Sequence, residues 1–463
     1  MSRTLETDYL VIGGGAAGLA FVDTLVAESD ARVVIVDRRA AAGGHWNDAY
    51  SFVRLHQPSL YYGVNSTPPG TEAVQTDGPE AGWYDRATGT EIRAYYERVM
   101  QRHLIPTGRV RFFPKWEFVG GLRIASCLTG EVVEVKVRKK VVNAAYLSPS
   151  IPATSPPPFE VGAGASVIPI GRLTQVGHRP ERFVIIGAGK TAMDACVWLL
   201  QSGVDPEQIQ WIKPRESWVI NRAYTQPGEL VANLFEGITR QMAAAARATS
   251  VDDLFDRLEA AALLRRVDAN VQPTMFRSAT VGDWEIDLLR RIEKVVRLGH
   301  VHRIECDRIV LDEGTMPTTP GHLHVHCAAD GLPRSPAIPI FGANRITLQP
   351  VRTGLIPFNA ALVAFVEARR DEEVEKNRLC PPNPHPRTAL DWARTTIIQP
   401  QAERAWSQET DIVEWLERSR LNPLRGLSAR AGDPGVQAAS KRFVENIRPG
   451  LGRLAALTGG AAA

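Results

Sequence analysis

The stretch Tyr9-Leu10-Val11-Ile12-Gly13-Gly14-Gly15-Ala16-Ala17-Gly18 decides the fold of this chain, and it has a counterpart in Phe183-Val184-Ile185-Ile186-Gly187-Ala188-Gly189-Lys190-Thr191-Ala192. Each stretch places an apolar run of strand type before a G-x-G-x-x-G/A loop and a helix-forming run after it. In such a turn the first glycine makes the bend, the second lets phosphates approach the backbone, and the third position packs helix on strand. The N-terminus of that helix faces the anion. Two loops in this context predict two dinucleotide sites in one chain.

The predicted fold class is therefore α/β, with two dinucleotide-binding, Rossmann-like domains and a helical C-terminal part. We expect the first domain to be split between residues 1–158 and 302–380, with the second domain, 159–301, inserted between them. Residues 381–463 would form a C-terminal helical extension that ends in a disordered Gly/Ala tail. The five prolines of Ser148 to Pro158 indicate the first crossing between the domains, because proline fits neither a helix interior nor a central strand.

Three further segments carry structural expectations. A helical block from Leu230 to Arg266 is longer than a nucleotide-binding domain needs, and we interpret it as a lid or as part of the substrate enclosure. The return to the first domain is predicted near His302, with strands at Arg308–Leu311 and Leu323–Ala329. Helical periodicity around Thr410 to Leu421 predicts a helix in the C-terminal part.

Bulk composition is typical of a soluble enzyme. The net charge of the 463 residues is only +3, and no basic tract is interleaved with aromatic residues, so a nucleic-acid partner is not expected. Tyr9 to Ala27 is apolar but contains four glycines and Asp23, which favours strand–turn–helix over a membrane span. Glu6 and Asp8 stand where a leader peptide would be basic. We expect a cytoplasmic protein without a membrane partner.

The residues behind the two loops separate the two sites. Asp37 ends the second predicted strand, at the distance where a carboxylate accepts hydrogen bonds from an adenosine ribose, and Arg38 follows it. An acid there suits FAD. The strand behind the second loop runs instead into Lys213, Arg215 and Arg222, cations that would pair with the 2′-phosphate of NADPH. The alternative interpretation is that these cations are solvated loop charges.

The motifs together carry a family resemblance. The two loops, Asp37, and Gly43-Gly44-His45-Trp46 followed by Tyr50 resemble the flavin-containing, Baeyer–Villiger and N-hydroxylating monooxygenases. The resemblance covers about residues 8–370 and implies FAD and NADPH as cofactors. The candidate cofactor-binding residues of the loops and their flanks are Gly13, Gly15, Ala16, Ala17, Gly18, Asp37, Arg38, Gly44, His45 and Trp46 for FAD, and Gly187, Gly189, Lys190, Thr191, Lys213, Arg215 and Arg222 for NADPH.

The same resemblance implies a mechanism and candidate catalytic residues. NADPH would reduce the flavin, and reaction with O2 would give a C4a-(hydro)peroxide that oxygenates a small organic substrate. The segment Ser51 to Tyr62 would lie beside the isoalloxazine. There Arg54 could hold an anionic peroxide or the nicotinamide, and His56 or Gln57 could bond the flavin edge. The alternative for each is ordinary loop packing.

A second candidate flavin contact precedes an apolar helix, Ala360 to Ala368. In related flavoproteins such a helix points its N-terminus at the flavin N1/O2 edge, where it stabilises the anionic reduced ring. Gln349, Pro350 and Asn359 are the candidates for that contact. Helix capping is the alternative, and the two roles are not exclusive. Arg352, in the same segment, is a fourth candidate catalytic residue.

A disulfide reductase of this architecture needs a close pair of cysteines beside the flavin. The five cysteines are scattered and include no such pair: Cys127, Cys196, Cys306, Cys327 and Cys380. Scattered thiols in odd number also fit a reducing cytosol.

A metal site is not expected. His322, His324 and His326 share one face of a predicted strand, but consecutive same-face residues in one strand rarely close a tetrahedral shell. We interpret them as an exposed polar strand face.

Three functions stay open on these residues. The first is an NADPH- and O2-dependent flavin monooxygenase acting on a small molecule. The second is a flavin reductase or dehydrogenase of the same fold that inserts no oxygen, and the third is a non-catalytic, nucleotide-binding redox sensor. Neither the substrate nor the oligomeric state can be predicted from these motifs.

Overall fold

The computed structural model describes residues 4–459, so residues 460–463 of the predicted disordered tail lie outside the described residues. A first sheet contains both ends of the predicted FAD domain. Its strand order is β19-β20-β6-β1-β2-β3, with a β4–β5 hairpin attached to β6. The strands are β1 (Thr4–Ile12), β2 (Val33–Asp37), β3 (Val110–Pro114), β4 (Trp116–Gly120), β5 (Arg123–Ser126), β6 (Val132–Asn143), β19 (Phe341–Gly342) and β20 (Arg345–Thr347).

The centre of this sheet is parallel and buried. β1 lies between β2 and β6, with all three parallel, and every residue of β2 is buried, as expected for a parallel sheet that is covered on both faces. Two helices, α1 (Ala16–Glu28) and α7 (Ile356–Arg369), pack against each other in the same core. Helix α2 (Gly89–Val99) begins with a capping box from Thr88 and buries Tyr95 and Tyr96 in that core.

A second, fully parallel sheet has the order β14-β10-β9-β18-β8. It carries the second glycine loop between β9 and α3, and α3 packs against α6. The elements are β8 (Val167–Pro169), β9 (Arg182–Ile186), α3 (Lys190–Gln201), β10 (Ile209–Ile212), α6 (Asp283–Arg290), β14 (Val295–Val296) and β18 (His322–His326). The predicted α/β class with two Rossmann-like units is confirmed.

The return to the first sheet comes later than predicted. β18 pairs with β9 along its whole length, so this strand belongs to the second sheet. The strand at Arg308–Leu311 lies in a small sheet of order β17-β16-β15-β7, whose apolar residues pack with Val184 and Ile212 of the second sheet. Its strands are β7 (Glu160–Val161), β15 (Val301–Ile304), β16 (Arg308–Leu311) and β17 (Gly314–Pro317). A strand pattern reports pairing capacity, not which sheet supplies the partner, and the first sheet resumes only at β19.

A third layer joins the second half of the chain to its C-terminal helices. The sheet β12-β11-β13 lies beside α4 and α5, which pack against α11 and α9 respectively. The elements are β11 (Ser217–Asn221), α4 (Val231–Arg247), α5 (Val251–Ala260), β12 (Leu264–Arg265), β13 (Met275–Val281), α8 (Glu373–Leu379), α9 (Ala389–Trp406), α10 (Thr410–Arg418) and α11 (Pro434–Leu457). Over residues 4–459, helices lack the length and apolarity needed to cross a membrane.

Candidate active site

One cavity of about 730 Å³ connects the sequence motifs. It lies outside the carboxyl ends of β1, β2 and β6, the position where open α/β sheets bind their ligands. Its walls include residues from segment 44–57, from the two crossings at 144–153 and 330–332, and from the loop before α7. Among the predicted residues, those that line it are Gly13, Gly15, Ala16, Ala17, Asp37, Arg38, Gly44, His45, Trp46, Arg54, His56, Gln57, Thr191, Gln349 and Asn359.

The first glycine loop has the geometry that dinucleotide binding needs. Gly13 has a φ of 106°, a left-handed turn that favours glycine. A Cβ on Gly18 would overlap the carbonyl oxygen of Gly13, so this glycine serves helix–strand packing and not the ligand. Asp37 accepts hydrogen bonds from the amides of Gly14 and Arg39, both at 2.8 Å. Since a carboxylate has about four acceptor sites, two remain for a ribose.

The Gly43–Trp46 segment packs directly on this loop. A Cβ on Gly44 would stand 2.9 Å from the Cα of Gly15, which explains a glycine at both positions. The Trp46 indole donates to the Tyr62 hydroxyl at 2.7 Å. The His45 ring stacks on Trp46 with centroids 5.3 Å apart, and burial, then the charge of Arg39, lowers the pKa of His45 to about 4. A neutral ring therefore borders the glycine loop.

The second glycine loop leaves open space for a ligand. A Cβ on Gly189 would meet nothing within 4 Å, so within the part of the chain that the structure describes, packing does not require glycine there. Close approach of a phosphate to the N-terminus of α3 does require it. Lys190, by contrast, is buried and pairs with Asp194 and with Glu285, and it points into the protein.

Two of the three predicted phosphate-binding cations are engaged elsewhere. Lys213 is only 1% exposed and pairs with both oxygens of Glu216 at 2.7 Å. Arg222 is equally buried, 2.6 Å from Glu285 and also paired with Glu80. Neither lines the cavity. Arg215 is exposed and is the one of the three that is open to a ligand.

A buried ion network connects the two halves of the molecule, which are the first sheet with its loops and helices and the second sheet with its loops and helices. Its links run through seven side chains in the order Tyr50, Asp194, Lys190, Glu285, Arg222, Glu80 and Arg86. Burial raises the pKa of the Glu285 carboxyl, but the charges of Lys190 and Arg222 outweigh it and hold that pKa well below its ordinary value. The Glu285 carboxylate therefore stays ionised at neutral pH.

Three of the four candidate catalytic residues lie together on the cavity wall. Arg54, His56 and Gln57 all line it, and the Arg54 guanidinium donates to the Arg86 carbonyl at 3.1 Å. Burial, then the charge of Lys190, lowers the pKa of His56 to about 4, so the imidazole is neutral and can donate or accept a hydrogen bond.

Arg352, the fourth candidate, does not face this cavity. Its guanidinium donates to Glu403 and to Asn422, both at 3.0 Å, and lies over the Phe358 and Trp406 rings. It ties the start of α7 to the C-terminal helices. The sequence could not reveal this, because the partners lie 51 and 70 residues further along the chain.

Gln349 and Asn359 line the cavity, but their amide groups are bonded to backbone. The Asn359 amide oxygen accepts from the backbone N–H groups of Val351 and Arg352 at 3.1 and 2.8 Å. The Gln349 amide donates to the Ile338 carbonyl at 2.8 Å. Both residues therefore fix the loop before α7, which agrees with the alternative of helix and loop capping.

Several cavity residues carry no sequence signal. Arg277, Ser278 and Thr280 come from β13, and His385 and Arg387 come from the segment after α8. The proline cluster at 380–386 indicates only a boundary, and the single special feature of β13, a φ of 54° at Ser278, is a backbone property. The helical block at 230–266, predicted as a lid or as part of the substrate enclosure, forms α4, α5 and the short strand β12, but contributes no residue to the lining among those described.

The histidine strand differs from its prediction as an exposed face. His324 and His326 are buried, since β18 lies inside the second sheet. His324 bonds the Thr318 hydroxyl and the Ser166 carbonyl, both at 2.9 Å. Over residues 4–459, no group of three or more His, Cys, Asp or Glu residues is arranged to hold a metal ion.

Comparison with solved structures places the fold in a class. Cyclohexanone-bound cyclohexanone monooxygenase in the Rotated conformation superposes with a TM-score of 0.50 at 13% identity, over 96% of this chain and 99% of that one. At this identity the similarity shows the fold alone: the two-dinucleotide-domain fold of the flavoprotein monooxygenases. An oxidized steroid monooxygenase bound to NADP gives a TM-score of 0.48 at 14% identity, over 78% of this chain and 85% of that chain. Residues 11–70 match the family model of the NAD(P)-binding Rossmann-like domain.

Sequence relatives define the family. "Uncharacterized protein Rv2000" of Mycobacterium tuberculosis (strain ATCC 25618 / H37Rv) and "Uncharacterized protein Mb2023" of Mycobacterium bovis (strain ATCC BAA-935 / AF2122/97) are each 46% identical over 427 residues. The similarity covers 92% of this chain and 79% of each relative. The chain belongs to the family of these mycobacterial proteins.

Proposed function

We propose that the protein is an FAD-dependent oxidoreductase that takes reducing equivalents from NADPH, and that it is a monooxygenase which uses O2 to oxygenate a small organic molecule. One observation carries the proposal. A single cavity is lined by Gly13 and Gly15 of the first glycine loop and by Thr191 of the second. Two nucleotide sites that open into one space suit direct electron transfer between their ligands.

The residues divide between the two cofactors. FAD fits the first loop, with its ribose on Asp37 and the Gly44–Trp46 segment along its pyrophosphate and flavin. NADPH fits the space beside Gly189, with Arg215 at its 2′-phosphate. When bound, FAD supplies hydride acceptance and the activation of O2.

The chain's own groups would orient and shield the reaction. Helix α7 directs its N-terminus into the cavity through Ile356 and Pro357, a position that favours negative charge on the reduced ring. Neutral His56 offers a hydrogen bond without a competing charge. Val53, Leu55 and Ile356 line the cavity with apolar surface, which limits the water that reaches a reactive intermediate.

The test separates the proposed activity from its alternatives. The protein reconstituted with FAD is mixed with NADPH without oxygen, and flavin bleaching is recorded. Oxygen is then admitted with a panel of ketones, amines and thioethers. The amounts of NADPH consumed, hydrogen peroxide formed and oxygenated product formed are then measured. Product matched to NADPH supports a monooxygenase. Peroxide alone, or electron transfer to a quinone, supports the reductase, and binding without bleaching supports the sensor.

A further inference from the structure

One region of the cavity has no part in the cofactor assignments. It is formed by the arginine corner, a name used here for Arg277 and Ser278 of β13, Asp330 of the second crossing and Arg387 after α8. These residues come from three separate parts of the chain. They line the same cavity as Gln349 and Pro350.

A distortion of β13 turns two of these residues into the cavity. β13 runs parallel to β11, but between the pairs Trp218–Phe276 and Ile220–Thr280 one residue of β11 faces three of β13. Within this bulge Ser278 has a φ of 54°, a left-handed conformation that costs a serine free energy. Bulges near binding sites redirect side chains, and this one directs Arg277 and Ser278 to the cavity.

The corner has more positive than negative charge. Arg277 donates to the Asp330 carbonyl at 2.7 Å and to its carboxylate at 3.4 Å. Arg387 donates to the same carboxylate at 2.9 Å. Two guanidinium groups thus share one carboxylate that is itself 74% exposed. Among the described residues, the buried Nε of Arg277 has no hydrogen-bond partner. Burial, then the charge of Arg387, lowers the pKa of Arg277, so an added anion would stabilise the corner.

Two anions compete for the corner: the carboxylate of a substrate and a phosphate of NADPH. Arg277 and Arg387 line the flavin cavity, whereas Gly187, Gly189 and Arg215 are not among its described lining residues. Thr191 of the second loop also lines this cavity, and the charge of Arg215 reaches Arg277. The lining favours the substrate, and NADPH binding is the measurement that separates the two anions. Leu147, Ile151 and Leu332 line the same cavity and offer apolar surface to a hydrocarbon body.

We propose that Arg277 and Arg387 bind the carboxylate of the substrate, and that the substrate class is therefore an apolar monocarboxylic acid, such as an arylacetic or medium-chain fatty acid. This inference rests on the proposed function, because it takes the cavity to be the substrate site. A guanidinium fork matches a carboxylate in two parallel hydrogen bonds, and the competing Asp330 is exposed enough to give way.

The experiment measures binding without turnover. The FAD-reconstituted protein, without NADPH, is titrated with phenylacetate and octanoate and with the neutral amides phenylacetamide and octanamide, by flavin absorbance and tryptophan fluorescence. We expect the acids to bind at least about tenfold more tightly than the amides, the effect of one charge-assisted contact. Arg277→Gln and Arg387→Gln should each remove this preference, and Arg387→Lys should keep part of it.

Matched measurements keep the outcome decisive. Arg345→Gln, an exposed arginine of β20 outside the cavity lining, should bind acids as the parent does. The NADPH dissociation constant should change less than about twofold in Arg387→Gln. Equal binding of acids and amides, or no binding of either acid, overturns the proposal. So does an equal loss of NADPH and acid in Arg387→Gln, which would assign the cations to the nucleotide. Failure of the proposed function would be seen in a different measurement, because NADPH would then not reduce the flavin.

Discussion

At the scale of single residues, two side chains can occupy equivalent positions in the fold and still have different roles. Lys213 stands in the second unit where Asp37 stands in the first. The Gly187 amide donates to the carbonyl of Ile212, just before Lys213, and the Gly13 amide donates to the carbonyl of Val36, just before Asp37. Sequence spacing could predict this equivalence. It could not predict that Glu216 would neutralise Lys213, or that Arg222 would pair with Glu80, 142 residues away. Partner choice for a buried charge depends on tertiary contacts, which spacing does not contain.

Arg215 is predicted to decide between the two nicotinamide cofactors. Arg215→Gln removes the exposed cation at the end of β10, so NADPH affinity should fall about tenfold or more while NADH affinity stays within about twofold. The dissociation constants can be measured by fluorescence titration of each coenzyme. An equal loss for NADH and NADPH would exclude Arg215 as the phosphate contact.

Lys213 is predicted to stabilise the fold instead. Lys213→Met leaves Glu216 buried, with Arg297 at 3.4 Å as a partner, and should lower the free energy of unfolding by about 3 kcal/mol. The double variant Lys213→Met/Glu216→Leu should recover part of that loss, since it removes both charges. Urea unfolding measures each value. A stable single variant with weakened NADPH binding would restore the phosphate role.

At the scale of elements, the two glycine turns were predictable because their chemistry is local. Strand, turn and helix follow one another without interruption in each unit, from Thr4 to Glu28 and from Arg182 to Gln201. The placement of β18 was not predictable in this way, because its partner β9 lies some 140 residues earlier and any parallel neighbour would satisfy the same apolar pattern. The bulge of β13 had no sequence signal either, since serine does not indicate a left-handed backbone.

The two turns give opposite predictions for the same substitution. Gly189→Ala introduces a methyl group into open space at a φ of −90°, so the melting temperature should be unchanged or slightly raised while NADPH affinity falls at least about tenfold. Gly18→Ala introduces the same group against the Gly13 carbonyl and should cost about 1–3 kcal/mol of stability. Calorimetry with coenzyme titration tests both. Loss of folding in Gly189→Ala would contradict the assignment of that space to a ligand.

At the scale of the whole molecule, acid should weaken the connection between the halves. The pKa values of His45 and His56 are lowered to about 4. Their contribution to the free energy of unfolding is therefore complete above the ordinary histidine pKa of about 6.5, and it is lost as the pH falls toward 4. The pKa values of Glu80 and Glu285 are also lowered, so their contribution is lost at still lower pH.

The melting temperature should therefore fall as the pH is lowered from 7 to 4. His56→Gln removes one of the titrating groups and should flatten the part of the curve between pH 6.5 and 4. Scanning calorimetry across this range, on the parent and the variant, measures both slopes. A melting temperature that is independent of pH, or curves that are parallel, would contradict these protonation states.

The segment from Tyr50 to Tyr84 is bonded to both halves, and this limits how the molecule can move. On one side Tyr50 donates to Asp194 at 2.6 Å, and the Tyr84 amide donates to Gln226 at 3.1 Å. On the other, Arg420 donates to the carbonyls of residues 59–64. A hinge rotation of one half against the other would break these hydrogen bonds and leave buried charges without partners. Each such charge would cost several kcal/mol. We therefore expect substrate and product to enter and leave through small local motions at the rim of the cavity. The two halves should keep their relative orientation throughout the reaction.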